Sequence, residues 1–253
     1  MRRLSEGQGA GTAGQLALFE HDASLPGWRV RESRRARRLT VRVFPGGRVE
    51  IVVPVGTRSR TIQQFVTRHR PWIDRKVSEF RHQAPEAAED LPGSVRLQAI
   101  ARQLAVRYVP GEGAPHALEC ADELVVSGDL ARIPLVRHAL QRWLLHSAHQ
   151  HLLPWLGAVA GRHGLVFSRA QVRRQRTRWG SCSRAGTISI NACLLFQSAD
   201  VVRYLLVHEL AHTVHLNHSR RFWRLVEKLE PGWEALDHEL SRGWRHVPHW
   251  AIG

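Results

Sequence analysis

His208-Glu209-Leu210-Ala211-His212, followed six residues later by His218, gathers the residue types that metal-assisted hydrolysis needs. On a helix, residues four apart share a face about one turn apart, so His208 and His212 can hold one ion. Glu209 stands beside the first ligand, within reach of a water at the metal, and reads as the general base. A straight helix would carry His218 too far along its axis to share the ion, so the helix must stop and the chain turn back. Asn217, which tolerates the left-handed conformation, is the expected stopping residue. Three nitrogen ligands leave a fourth position for water, the mark of a catalytic rather than a structural zinc site. The expected cofactor is one Zn²⁺ per chain, polarising a scissile carbonyl and acidifying water, while Glu209 takes a proton and returns it to the leaving amine.

Other residues leave alternatives open. His215 lies seven residues after His208, on nearly the same helix face but about 10 Å along the axis. It reads as a ligand with His212 in place of His218, as a substrate-cleft residue, or as plain helix surface. Arg178, Tyr204 and His215 each could steady an oxyanion. Cys182 is the only rival nucleophile, and no partner base is evident for it.

These groups must be positioned by elements. From Thr187 to Phe196 the pattern is that of a strand, with Ile188, Ile190, Ala192 and Leu194 on one face and Ser189, Asn191 and Cys193 on the other. Val172 to Cys182, polar and arginine-rich, reads as its hairpin partner across a turn at Arg184-Ala185-Gly186. A helix starts near Asp200 and carries the histidine motif on its C-terminal part. Ser219 can cap a further helix, Arg220 to Leu229, that stops at Pro231-Gly232. Upstream, Leu39, Val41 and Val43 alternate, turn at Pro45-Gly46-Gly47, and continue as Val49, Ile51 and Val53: a hairpin. Thr61 to Arg81 reads as a helix with a possible break at Pro71, Val95 to Gly128 as short strands, and Ile133 to Gly161 as a long helix.

Thr177-Arg178-Trp179-Gly180-Ser181-Cys182-Ser183 with Gly186-Thr187-Ile188-Ser189-Ile190-Asn191, HELAH with Asn217-His218-Ser219 and Phe222-Trp223, and the basic stretch Arg34 to Val41 with Pro71-Trp72-Ile73 together resemble the YgjP-like metallopeptidases. SprT-like and WLM proteases are more distant kin. The resemblance spans roughly residues 28 to 240; it departs from the family pattern in the middle, at Ile100-Ala101-Arg102-Gln103-Leu104. It implies an α+β fold: a zincin-like catalytic domain of mixed sheet plus HExxH helix, preceded by a small basic β-hairpin and helix module. It also implies a peptide or protein substrate, His218 as third ligand, and a strand above the helix along which an extended substrate pairs. Thr187 to Phe196 is the expected strand, and Arg178, Ser189, Asn191 and His215 are the substrate-cleft candidates.

The expected organisation is a lead-in over 1–25, the basic module over 26–83, an acidic linker over 84–94, the catalytic domain over 95–245 and a tail over 246–253. Three cysteines do not suggest a disulfide framework, no apolar run approaches a membrane span, and no signal-peptide core follows Arg2-Arg3, so a cytoplasmic protein is expected. The net charge of +15 attracts polyanions. Arg173, Arg174, Arg176 and Arg178, just before the expected substrate strand, therefore raise a compatible alternative, a protease acting on nucleic-acid-bound proteins as SprT-like relatives do. A third reading is a basic binding module in which zinc only holds the fold.

Overall fold

The computed structural model describes residues 28–44, 47–83 and 91–252. The expected lead-in over 1–25 and most of the linker, residues 84–90, lie outside them. The chain divides into two compact units, residues 1–81 and 82–253. Both mix helices with mixed sheets.

In the first unit β2 (Thr40–Val43) and β3 (Val49–Pro54) pair antiparallel, Val43 facing Val49 and Thr40 facing Val52. A third strand, β1 (Trp28–Ser33), runs parallel to β3 on its other side, giving the order β1-β3-β2. Its arginines obscure its alternation, yet Trp28 and Val30 join Leu39, Val41, Ile51 and Val53 against Ile62 and Val66 of α1 (Ser59–Gln83). The helix runs unbroken through Pro71, so the possible break does not occur. Ile73, fully buried against Val43 and Val49, holds the turn beyond the proline on the sheet. Burial of such a side chain contributes about 1.5–3 kcal/mol, comparable with what an internal proline costs.

The second unit opens with a four-stranded sheet of β4 (Ser94–Leu97), β5 (Arg102–Pro110), β6 (His116–Cys120) and β7 (Glu123–Gly128), in the order β4-β5-β7-β6. α2 (Ile133–His163) packs beside it with Leu140, Leu144, Leu152 and Leu156 fully buried, and ends at left-handed Gly164. A three-stranded sheet follows, built from β8 (Arg169–Arg173), β9 (Gly180–Cys182) and β10 (Thr187–Asn191) in the order β8-β10-β9. Then come α3 (Ala199–Ala211), α4 (Arg220–Leu229), α5 (Trp233–Ser241) and α6 (His249–Ile252).

Three expectations change here. The return strand stops at Asn191, and Ala192–Phe196 winds into a 3₁₀ turn whose first free N–H, that of Cys193, is accepted by the Asn191 side chain at 3.1 Å. More consequentially, β10 is the central strand, parallel to β8 on one side and antiparallel to β9 on the other. Both of its edges are taken, so an extended substrate cannot add to it. The stretch expected to be a C-terminal tail also packs inward: Val247 is fully buried, and Gln141 Nε2 donates to the Trp250 carbonyl at 2.6 Å.

Candidate metal centre

α3 begins at Ser198, whose hydroxyl accepts from the Val201 N–H, with Asp200 in the first turn where the helix dipole favours an anion. Its apolar face, Val201, Val202, Leu205 and Leu206, is buried, which fixes how the motif in its last turn is presented. After Ala211 the last turn tightens. Thr213 and Val214 donate to the carbonyls three residues back, Leu210 and Ala211. No left-handed residue is used; the described residues with positive φ other than glycine are Ala101 and Ala121. The expected stop at Asn217 is therefore replaced by an earlier, 3₁₀-type ending. The chain then swings back, and Ser219 caps α4 by accepting from the Phe222 N–H.

That return brings His218 to His208. Their Nε2 atoms lie 3.1 Å apart, and one nitrogen from each of His208, His212 and His218 falls within 4.8 Å of the others. All three rings pack around Phe222 of α4, with centroids 5.0, 4.5 and 4.8 Å from it. Phe222 is fully buried and forms the floor of the triad. Two of these histidines have partners on their far nitrogens. His208 Nδ1 lies 3.4 Å from the Tyr204 hydroxyl, which donates to Asp237 of α5 at 2.7 Å. His212 Nδ1 lies 3.2 Å from the His215 carbonyl, an acceptor that makes the nitrogen a donor. Such partners turn Nε2, the unprotonated nitrogen, toward the shared point. Burial pushes His208 down to about 3 and lowers His212 as well, so both imidazoles are neutral near pH 7.

The site fits a metal on its own geometry. Tetrahedral zinc with bonds of about 2.0–2.1 Å sets its ligand nitrogens about 3.3 Å apart, close to the observed 3.1 Å. Three imidazoles also form a donor set suited to zinc.

Glu209 is 4% exposed, and its Oε2 has no hydrogen-bond partner among the described residues. Burial pushes its carboxyl up to about 8, against the opposing pull of Arg178. The carboxylate fits where it does because position 180 is glycine: a Cβ there would stand 2.4 Å from Glu209 Oε1. β9 thus passes directly over the acid. Among the described residues it is also an edge strand, bonded to β10 on one side only.

With this geometry in view, residues 37–243 match the YgjP-like, metallopeptidase domain family. The chain belongs to the YgjP-like metallopeptidase family. It is also similar to the metallopeptidase zymogen abylysin of Pyrococcus abyssi, 26% identical over 35% of this chain and 90% of that one, with a TM-score of 0.33. That overlap is too low to carry a fold from one to the other. No curated protein matches. Membership makes the chain a metal-dependent hydrolase of peptide bonds, acting on peptides or proteins. Among the described residues no helix is long and apolar enough to cross a membrane.

Within this YgjP-like domain the cleft candidates separate. Arg178 is exposed and is the cation that acts on Glu209. Ser189 is 8% exposed, its hydroxyl accepting from Gln171 Nε2 at 2.8 Å across the β8–β10 pair. Asn191 is fully buried, and its amide donates to the Gln175 and Arg178 carbonyls at 2.7 and 2.8 Å. Asn191 therefore holds the loop that carries Arg178 and Gly180 and is not a surface that substrate touches. His215 contributes its carbonyl to His212. Cys182 is a free, half-buried thiol whose pKa is raised by burial and by Glu209, the opposite of an activated nucleophile. Sequence reading missed Gly180, Phe222 and Asp237 as parts of the site. Gly180 sits in a quoted motif, and a glycine inside a strand is a signal of close approach by another group. Nothing in the spacing marks Asp237, which comes from a helix 25 residues downstream of Tyr204–His212.

A cleft of about 1130 Å³ between α2 and β6 contains none of the three histidines. In the triad His208 and His212 are half-buried and His218 is exposed.

Proposed function

We propose that this chain is a zinc-dependent peptidase of zincin-like architecture, holding one Zn²⁺ through His208, His212 and His218. The observation that carries this reading is the convergence of three imidazole nitrogens, with Glu209, a buried carboxyl with one unpartnered oxygen, following His208 directly in the chain. Zinc bound there supplies a Lewis acid that polarises the scissile carbonyl and makes water a nucleophile near pH 7. Glu209 accepts the proton from the attacking water and hands it to the departing amine. Its raised affinity for a proton suits both halves of that transfer. Arg178, exposed beside Glu209, is the cleft cation available to developing negative charge.

The substrate strand is β9 rather than β10. Asn191 N–H bonds the Trp179 carbonyl at 2.8 Å and Ser183 N–H bonds the Thr187 carbonyl at 2.9 Å, so residues 179, 181 and 183 face β10. The main-chain groups of Gly180 and Cys182 then face the open edge, directly over Glu209, where an extended peptide can add by main-chain hydrogen bonds.

The test combines elemental analysis with peptidase assay of the wild type, His218→Ala and Glu209→Gln. About one zinc per chain is expected in the wild type and marked loss in His218→Ala. Glu209→Gln should keep its zinc and lose activity by about 10³-fold or more, the scale expected for a positioned base acting with a metal. Wild-type protein that stays metal-free after refolding with zinc would sink the reading. Full activity in Glu209→Gln, with unfolding on zinc removal, would point to a module that zinc merely stabilises.

A further inference from the structure

We propose that the outer face of the first unit binds the phosphodiester backbone of nucleic acid, independently of the metal centre. The charge of this chain is segregated. Residues 28–83 hold fourteen arginines and one lysine against four acids, a net +11 of the total +15. The sheet concentrates that charge further. Because Ile51, Val53, Val30 and Val41 face α1, the alternate positions Arg29 and Arg31 of β1 and Arg42 of β2 face away from it. β1 and β2 are the two edges of the sheet, and both meet the turn Arg34-Arg35-Ala36-Arg37-Arg38 at the end where β3 finishes. Arg29, Arg42 and the four turn arginines are all exposed. The guanidinium groups therefore run up one edge, across the end and down the other.

One acid shares this face. Glu50 lies between Arg31 at 3.2 Å and Arg42 at 3.7 Å, and offsets one charge of the set while holding two guanidinium groups in place.

Phosphate is the ligand class that this chemistry favours. Guanidinium forks match phosphate oxygens two at a time, and the face uses arginine throughout. A lipid surface or a hydrophobic protein partner would need a cluster of exposed apolar anchors, whereas Val52, outward-facing on β3, is 5% exposed, and only Val55, just past the end of β3, is an exposed large apolar side chain near the turn among the described residues. The arginines before β9 are less suited. Arg174 is half-buried with its pKa lowered by that burial, and Arg173 is tied to Gln171 at 3.1 Å.

Fluorescence anisotropy of the full chain with a mixed-sequence duplex of about 24 base pairs, and with one of its strands, tests the proposal across a salt series. Binding should weaken with log[NaCl] at a slope of about −4 or steeper for the duplex. Replacing Arg34, Arg35, Arg37 and Arg38 with alanine should flatten that slope by about 3 and weaken binding more than tenfold at about 0.1 M salt. Arg29→Ala with Arg42→Ala should weaken it in the same direction, and a circular dichroism melt checks that each variant is folded. A control removes equal charge from the second unit, through exposed Arg142, Arg162, Arg169 and Arg184, and should change affinity less than about threefold. Three outcomes overturn the proposal: no binding of duplex or strand at about 50 mM salt, equal losses in control and test variants, or equally tight binding to polyglutamate or phosphatidylserine vesicles. Zinc content and peptidase activity, measured without nucleic acid, report on the metal centre separately.

Discussion

At the residue scale the site turns on a conflict between burial and charge at Glu209. Its carboxyl is shut away from water and unpartnered on one oxygen, a state that costs stability and persists because the surrounding strand and helix are fixed. Gly180→Ala tests the fit directly. The new methyl would displace the carboxylate, so kcat should fall about 10²-fold while zinc content stays near the wild type. A pH prediction follows for protein stripped of metal. Glu209 binds its proton up to about 8 in the folded chain, against an ordinary 4.5, so its contribution is full at low pH and is lost as pH rises through about 8. His208, held at about 3 against an ordinary 6.5, acts in the opposite sense and only below 6.5. Between about 6.5 and 8 Glu209 alone remains, and chelator-treated protein should lose on the order of 1–2 kcal/mol across that window by urea titration. In Glu209→Gln the loss should vanish; an unchanged slope would mean that the carboxyl ionises freely.

At the element scale the centre is an agreement among three helices. α3 supplies two histidines, the turn into α4 supplies the third together with Phe222 beneath all of them, and α5 reaches back through Asp237 to Tyr204 and so to His208. Stacking of Trp223 on Trp233, centroids 4.2 Å apart, ties α4 to the start of α5. Arg203 of α3 grips the nearly buried Glu230 at the end of α4 with two hydrogen bonds of 2.7 Å. Because Tyr204 touches His208, a proposed ligand, rather than the reacting groups, Tyr204→Phe should act through metal affinity. We expect zinc to bind 10–100-fold more weakly by competition with a chelator, with kcat little changed at saturating zinc. A variant with wild-type affinity would reduce the Asp237–Tyr204 pair to a packing contact.

At the scale of the molecule, the chain divides into two compact units. The second contains every residue of the triad together with Glu209, Gly180, Phe222 and Asp237, and its own core is closed by Trp250 against Phe196. A fragment of residues 91–253 should therefore fold and bind about one zinc, checked by circular dichroism and elemental analysis. If it does not fold, the first unit is needed for more than charge. The family match begins at residue 37 and so covers most of the first unit as well.

The spacing His208, Glu209, His212 and His218 was enough to point to a metallopeptidase, because helical periodicity and ligand type are local properties that the chain carries in eleven residues. The buried alternation of β2 and β3, the long α2 and the Ser219 cap were legible for the same reason. What sequence could not decide was which strand keeps a free edge. Both β9 and β10 read as strands, but only the arrival of β8, parallel and from eighteen residues upstream, closes the second edge of β10 and leaves β9 open. Likewise the role of Asn191 depended on which loop folded over it, and that of Asp237 on which helix came back to Tyr204. Edges, floors and far-side partners are set by contacts between distant segments, so they were decided by the tertiary structure alone.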